Sequence, residues 1–464
     1  MNQINQINKT NQTNQIGCQF KRIGEAIMLR KLTLAMVTVL MILALATASE
    51  AGGLFLTEFG TEDVALAGAG WAARAQDAST LFKNPAGMSR LEGNQFQGGL
   101  QALYFQSGGF SGTNTPYCGN GGGNPVGVLP AASGFYVHSL SKDFKVGLGM
   151  FSNFGLSEKF NQGFVGRYYV KEATLVGMTV APVASYQVNE YISIGGGPNV
   201  MLAYLKYTSN VNNVLPPGSG DGQMETKDTA AGVGGQFGVL VEPKKGTRVG
   251  VTYYSPIKLN FSDTPTFSNL GTIGSTLQSR GLLNRNLDLG ITVPQHVILS
   301  GYHELSDQWA VMGDFGWENW SRFGEVDVAV TGGQNNPSLT TKTKYDDTYH
   351  VGVGSQYRLN PEWLLNGGFA YDSSMVSNAN RSLALPTGAT YRFGLGANWL
   401  MSPKVKLGFS YELAYMGDLS ISQNRGQLAG QLTGEFKDTM MHFFAFTMNW
   451  GSQGVTFGPG GSAS

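Results

Sequence analysis

Residues 391–413 read YRFGLGANWLMSPKVKLGFSYEL. Up to the Ser402-Pro403 pair the odd positions are apolar: Tyr391, Phe393, Leu395, Ala397, Trp399 and Met401. The even positions carry Arg392, Gly394, Gly396 and Asn398. Past the pair the alternation resumes, with Val405, Leu407, Phe409, Tyr411 and Leu413 on one face and Lys404, Lys406, Gly408, Ser410 and Glu412 on the other. Successive side chains of a strand point to opposite faces, so this stretch predicts two strands joined by a tight turn, each greasy on one side. Runs of about ten residues suit a tilted strand crossing a membrane. Strands of soluble sandwiches are usually shorter, and their wet faces are rich in Lys and Glu rather than Gly and Asn.

The pattern recurs along the chain. Segment 247–261 sets Val249, Val251, Tyr253, Ile257, Leu259 and Phe261 against Arg248, Gly250, Thr252, Lys258 and Asn260, and 363–372 alternates likewise. Similar runs lie at 95–106, 132–141, 144–153, 173–187, 190–207, 228–243, 286–302, 307–318, 346–358 and 438–450, which makes about fourteen strands. Short links such as 141–143, 189–190, 243–245, 360–361 and 402–403 read as periplasmic turns. Polar stretches at 107–131, 208–227, 262–285, 319–344, 373–387 and 418–437 read as extracellular loops. Alternating short and long links fit an up-and-down barrel of even strand number.

Composition agrees. Of 464 residues 65 are Gly and only 13% are charged, while 42% are hydrophobic; soluble domains carry about 25% charge. That much hydrophobicity excludes a disordered chain, and glycines without a three-residue period exclude collagen. Lys+Arg and Asp+Glu both number 31, so no basic footprint points to nucleic acid.

Residues 32–48, LTLAMVTVLMILALATA, follow Arg30-Lys31 and end in small residues, with Ala46-Thr47-Ala48 and Ser49-Glu50-Ala51 as cleavage sites. This is the form of a secretory signal peptide; the competing reading is an anchoring helix, for which the run is short. Met28 is an alternative start to Met1, since residues 1–27 are Asn/Gln-rich. Removal of a leader 1–51 leaves 26 bases and 29 acids, a net charge of −3, with Cys118 alone. An exported chain without another long apolar run spans a membrane only as a closed barrel.

Residues 52–94 do not alternate and are expected to form a compact plug ahead of the barrel 95–450, with a Gly/Ser-rich tail at 451–464. The stretches Leu66-Ala67-Gly68-Ala69-Gly70, Ala72-Ala73-Arg74-Ala75-Gln76-Asp77-Ala78-Ser79-Thr80 and Asn84-Pro85-Ala86-Gly87-Met88 carry a resemblance. So do Phe151-Ser152-Asn153-Phe154-Gly155-Leu156, Gly166-Arg167-Tyr168, Gly250-Val251-Thr252-Tyr253-Tyr254-Ser255-Pro256 and Asn319-Trp320-Ser321-Arg322-Phe323. Over 52–450 the sequence resembles the FadL/OmpP1/TodX family of outer-membrane transporters for long-chain fatty acids and other hydrophobic compounds. The resemblance implies an all-β, antiparallel transmembrane barrel of fourteen strands with an N-terminal hatch. It further implies low-affinity substrate capture on the loops after the third strand, an inward kink of that strand, and rearrangement of the N-terminus on ligand binding. The tail 451–464 departs from barrel chains that end on an aromatic residue of the last strand.

The residues then divide into expected roles. Asn84-Pro85-Ala86 is a rigid turn, read as a plug motif rather than an ordinary Asn-Pro turn. Leu54, Phe55, Leu56 and Phe59 are apolar at a mature N-terminus, where chains are usually polar; they either gate a greasy pocket or pack on the wall. Phe151, Phe154, Leu156, Phe160, Phe164 and Tyr168 read as an aromatic loop, either a landing site for ligand or a loop packed on itself. Arg167, Lys206 and Arg381 are cations that would hold a ligand carboxylate or pair with lumen acids. Lumen-facing charges are expected at Arg248, Lys258, Asp314, Glu318, Arg392, Lys404, Lys406 and Glu412. Gly147 and Gly149 are the sites of a strand kink.

Five scattered histidines give no metal site, no nucleophile motif is present, and no cofactor is expected. The expectation is a monomeric, non-enzymatic channel whose partners are a hydrophobic small molecule and outer-membrane lipid. A hydrophilic porin, an outer-membrane lipid enzyme and an adhesin are the alternatives.

Overall fold

The computed structural model describes residues 58–213, 220–271, 273–279, 283–323, 325–331, 341–342 and 344–460. Leu54, Phe55, Leu56 and the leader lie outside them.

Fourteen antiparallel strands close into a barrel. They are β1 (Gln95–Gln106), β2 (Val128–Ser139), β3 (Phe144–Lys159), β4 (Glu172–Gln187), β5 (Ile192–Val211), β6 (Gly222–Lys244), β7 (Thr247–Tyr254), β8 (His296–Glu304), β9 (Trp309–Glu318), β10 (Thr348–Arg358), β11 (Trp363–Asp372), β12 (Thr390–Ser402), β13 (Val405–Asn424) and β14 (Gln431–Gly451). Each pairs with its neighbours in sequence, and β1 pairs with β14 from Gln95–Gly451 to Gln106–Met440, so the sheet closes on itself. Alternation decides the faces as expected: Leu148, Val251, Phe315, Val353, Leu395 and Phe409 point outward and are exposed, as a lipid-facing row must be. Trp309 and Trp399, with Trp363 stacked 6.2 Å from Trp399, lie at the periplasmic ends, where an aromatic girdle belongs.

Two expected strands are broken by proline. Segment 247–261 stops at Tyr254 and restarts as Ile257–Asp263; segment 286–302 divides into Asn286–Val293 and His296–Glu304. Pro256 and Pro294 lack the N–H that a continuous ladder needs. The face inverts at the first break: Val249, Val251 and Tyr253 are exposed, whereas Ile257, Leu259 and Phe261 are buried. The displaced pieces pair with each other in a separate small sheet that includes Glu325–Thr331. Lys258 is therefore exposed and does not face the lumen, and Lys404 is exposed in the β12–β13 turn. Much of the expected loops 208–227 and 418–437 is strand, because β5–β6 and β13–β14 stay paired to Val211–Gly222 and Asn424–Gln431.

Residues 58–94 fill the lumen. They hold two 3-10 helices, Glu62–Leu66 and Pro85–Arg90, and one short α-helix, Thr80–Lys83, rather than a longer helix. This plug seats where the wall has no side chain. A Cβ at Gly250 of β7 would lie 1.9 Å from the Ala72 carbonyl oxygen, and one at Gly368 of β11 would lie 1.9 Å from that of Leu66. The inward glycines thus mark where plug backbone touches strand. Gly368→Val is expected to unseat the plug while leaving the barrel closed. Planar-bilayer recordings should show steady ion conductance in this variant and none in the parent chain.

Candidate functional site

The plug is organised by buried charge. Arg74 reaches Glu62 (3.3 Å), Asp63 (3.0 Å) and Asp77 (3.0 Å), Lys83 reaches Asp63 (2.7 Å), and Lys406 of β13 reaches Glu62 (2.7 Å). Asn398 and Asn449 donate to Glu62, each at 3.0 Å. Burial by itself would raise the Asp63 and Asp77 carboxyls, but Lys83 and Arg74 outweigh it and hold both below the ordinary carboxylate value. Asn84 caps the helix Pro85–Arg90 by accepting from the Ala86 N–H (3.1 Å). Its amide donates to Ala72 O (2.7 Å) and to Val239 O of β6 (3.0 Å), so the expected rigid turn also fastens plug to wall. Pro85 and Ala86 press on β5, where a Cβ at Gly195 would lie 2.6 Å from both.

Above the plug lies a cavity of about 120 Å³ bounded by Gly68 and Trp71 below, by Ile298, Trp320, Met375, Met416 and Met441, and by the polar groups Glu318, His350, Asp372 and Arg392. The Arg392 guanidinium is shared among Glu58, Asp372 and Glu412 (the last at 2.9 Å), and His350 Nδ1 lies 2.6 Å from Asp372. Trp320 and Met375 also belong to an apolar cluster running through Ile257, Leu259, Phe261, Ile291 and Met201 to Phe154 on β3.

At β3 the wall changes. β2 and β3 pair only from Ser139–Lys145 to Ser133–Phe151. Beyond that point β2 continues to Val128 paired with β1, while β3 continues to Lys159 paired with β4. The Lys159 N–H donates to Pro125 O (2.7 Å) and bounds the break above. The β3 register shifts between Ser152 and Phe154, at Asn153, which is a bulge. Gly147 and Gly149 instead pair regularly, opposite Val137 and Phe135, and leave room for Met88 and Leu81 of the plug. Phe59 sits against the break, with ring centroids 5.3 Å from Phe151 and 6.0 Å from Phe135 and edge-on to Trp71 and Phe82 at 5.8 Å. Its neighbour Glu58 is held across the lumen by Arg392, and Gln101 bonds Glu58 O (2.7 Å) and the Gly60 N–H (2.9 Å).

The aromatic candidates do not form one exposed loop. β3 extends to Lys159, so Phe151, Phe154 and Leu156 are strand residues. Phe151 joins the Phe59 cluster and Phe154 the apolar cluster below the mouth. Phe160 and Phe164 stack at 3.9 Å and are buried among Phe110, Leu432 and Phe436. Tyr168 is buried and donates to Asp221 (2.7 Å).

Among the cations, Arg167 pairs with Asp221 (2.7 Å) and Lys206 with Glu172 (2.8 Å). Arg381 differs. It is buried, donates to Thr387 O (2.7 Å), Asn378 Oδ1 (2.7 Å) and Ser420 O (2.9 Å), and has no carboxylate partner among the described residues. Burial lowers its guanidinium from the ordinary value. Its Nη2 lies 3.6 Å from the position of a Cβ on Gly388, which lines the cavity.

Sequence reasoning did not identify Glu58, Glu62, Asp63, Lys83, His350 or Asp372 as interacting groups. The signal for the plug was its density of charge, six ionisable residues from Glu58 to Lys83 in a chain only 13% charged.

A closed fourteen-stranded barrel with greasy outer rows, a charged plug and a broken wall is a plugged channel of the bacterial outer membrane. Residues 42–450 match the family model described as outer membrane protein transport protein (OMPP1/FadL/TodX). The chain belongs to that family, which is one of transporters. Outer membrane protein P1 of Haemophilus influenzae is 26% identical over 426 residues, 82% of this chain and 90% of that protein. A long-chain fatty acid transport protein of Escherichia coli strain K12 is 25% identical over 438 residues, 82% and 91% of the two chains. The solved structure of a Pseudomonas aeruginosa FadL homologue superposes with a TM-score of 0.75 at 18% identity, covering 86% of this chain and all of that one. The toluene transporter TodX of P. putida gives 0.62 at 16% identity, covering 87% and 99%.

Because the Asp63 and Asp77 carboxyls titrate lower in the folded plug than in an unfolded chain, their contribution is complete above the unfolded value of about 4 and fades as pH falls through their lower native values. Bilayer conductance is therefore expected to stay closed at pH 5 and to open only well below about pH 4. Arg74→Met leaves three buried carboxylates short of their cation and should destabilise the seated plug by about 3–5 kcal/mol, read as thermal loss of its protease protection.

Proposed function

We propose that the chain takes up long-chain fatty acids or other hydrophobic small molecules across the outer membrane passively. Ligand gathers at the extracellular loop cluster, enters the cavity above the plug, and passes Trp320 and Met375 along the apolar cluster to Phe154. It leaves sideways between β2 and β3 once Phe59 withdraws. The observation that carries this reading is the end of β2–β3 pairing at Ser133–Phe151, with Phe59 packed on Phe151 and Phe135. A greasy solute going down through the plug would break buried ion pairs, at several kcal/mol each, whereas stepping into lipid keeps its apolar surface out of water.

Arg381 is the cation suited to a ligand carboxylate, since Arg392 already answers three acids while Arg381, among the described residues, bonds only neutral oxygens. A charge-assisted bond is worth about 1.5–3 kcal/mol, so Arg381→Met should weaken binding of a long-chain fatty acid roughly tenfold or more and leave its methyl ester unaffected. Equal weakening of both, or of neither, would remove Arg381 from the role and favour an uncharged hydrocarbon ligand. Deleting Asn153 removes the bulge and lets β3 pair onward with β2. Uptake into whole cells should then fall to background while the barrel still migrates as folded in unheated gels, and undiminished uptake would rule out the lateral route.

A further inference from the structure

The chain does not end at the barrel's last strand. Past Gly451 it turns inward: the Ser452 N–H donates to Asn94 O (2.8 Å), Ser452 Oγ accepts from the Asn94 N–H (2.8 Å), and Gln95 Nε2 donates to Gly454 O (2.8 Å). The tail is thereby clipped to the residues through which the plug runs into β1. Val455 N–H then donates to Pro403 O in the β12–β13 turn (3.0 Å), and Lys406 lies 3.5 Å from Thr456 O. Arg358 of β10 donates to Phe457 O, and Gly458 seats against Leu364 of β11, where a Cβ would lie 2.6 Å from the leucine. The Gly460 N–H reaches Glu304 of β8 (3.3 Å). Val455 and Phe457 are buried, each 2% exposed. Gly454, Gly458 and Gly460 have φ of 116°, 69° and 85°, so the Gly-rich composition serves a defined path rather than a slack linker.

Geometry fixes where that path runs. Strands spaced about 4.8 Å apart and tilted about 40° give a fourteen-stranded wall a circumference near 90 Å and a diameter near 28 Å. β8 lies six strands from β14, almost opposite, and the rim between them measures about 38 Å. Nine residue steps reach at most about 30 Å, and the contacts of residues 451–460 fall in order on the β12–β13, β10–β11 and β8–β9 ends, so the tail runs along the inside of the periplasmic rim for nearly half its circumference. Directly above them is Glu62 of the plug, and the same Lys406 that lies near Thr456 O holds Glu62 at 2.7 Å.

We propose that residues 452–460 are a strap along the inner periplasmic rim that keeps the plug seated in the lumen. It blocks the plug's way out on that side, and it stands on its own contacts whether ligand leaves sideways or not. The test compares the full chain with a chain lacking 452–464 and with Gly458→Val, which keeps the tail but forces it off Leu364. Both variants should pass steady ion current in planar bilayers where the full chain is closed. In Gly458→Val, added carboxypeptidase should trim a tail that the parent protects. A deletion chain that folds as a barrel and stays closed overturns the proposal. If the deletion does not assemble, a Gly458→Val chain whose tail is trimmed by carboxypeptidase yet which stays closed does so. Fatty-acid uptake measured in the same variants separates the two readings, because loss of plug retention with uptake intact leaves the wall route standing.

Discussion

A lumen sealed by thirty-odd residues with little regular helix has to satisfy many polar groups away from water, and Arg74 organises that satisfaction. Its guanidinium collects Glu62, Asp63 and Asp77, while Lys83 and Lys406 complete the second side of the same acids. Three cations meet three carboxylates, all nearly without solvent contact. Withdrawing an ion from water costs several kcal/mol, so such a cluster is tolerable only when every member is matched. Lys406 comes from the wall, as do Asn398 and Asn449, so the plug's charge balance is completed only inside this barrel.

The second charged group is built the other way. Around Arg392, Glu58, Asp372 and Glu412 compete for one guanidinium, with Glu318 and Asp314 near by. Acid outnumbers base beside the cavity, whereas the plug core is neutral. The Glu58 tie therefore draws on a cation in short supply, whereas the acids on Arg74 also have Lys83 and Lys406, and it is the Glu58 tie that positions Phe59 at the wall break. Strong matched charge holds the body of the plug, and crowded charge holds its leading edge.

What the sequence made legible follows from which environment dictates each face. Lipid imposes apolarity on every outward position, so period two identified nearly all the strands, as in 391–413 with Tyr391 to Met401 outward. Nothing comparable marks a strand leaving the membrane. At Pro256 the alternation of Ile257, Leu259 and Phe261 continues in letter while its face reverses, because burial against the lumen and exposure to lipid demand the same residues. The aromatic run from Phe151 to Tyr168 failed as a single loop for the same reason, since aromaticity does not say which of three clusters a ring joins. Ion pairs such as Arg392 with Glu58 join residues 334 apart, a distance no local pattern encodes.

The wall also carries the plug's imprint. Gly99, Gly195, Gly238, Gly250, Gly354, Gly368 and Gly394 sit on seven strands, each missing a Cβ where plug atoms lie within 2.8 Å of its place. These strands are spread from β1 to β12, so their glycines face one plug only when the sheet curls round on itself. The β1–β14 seam completes the ring that the plug fills, and that seam is also where Asn94 receives Ser452. The same seam thus adjoins the entry of the N-terminal plug and the anchor of the C-terminal tail. The glycine excess and the glycine-rich tail, separate oddities of composition, become two halves of one device for keeping a barrel shut.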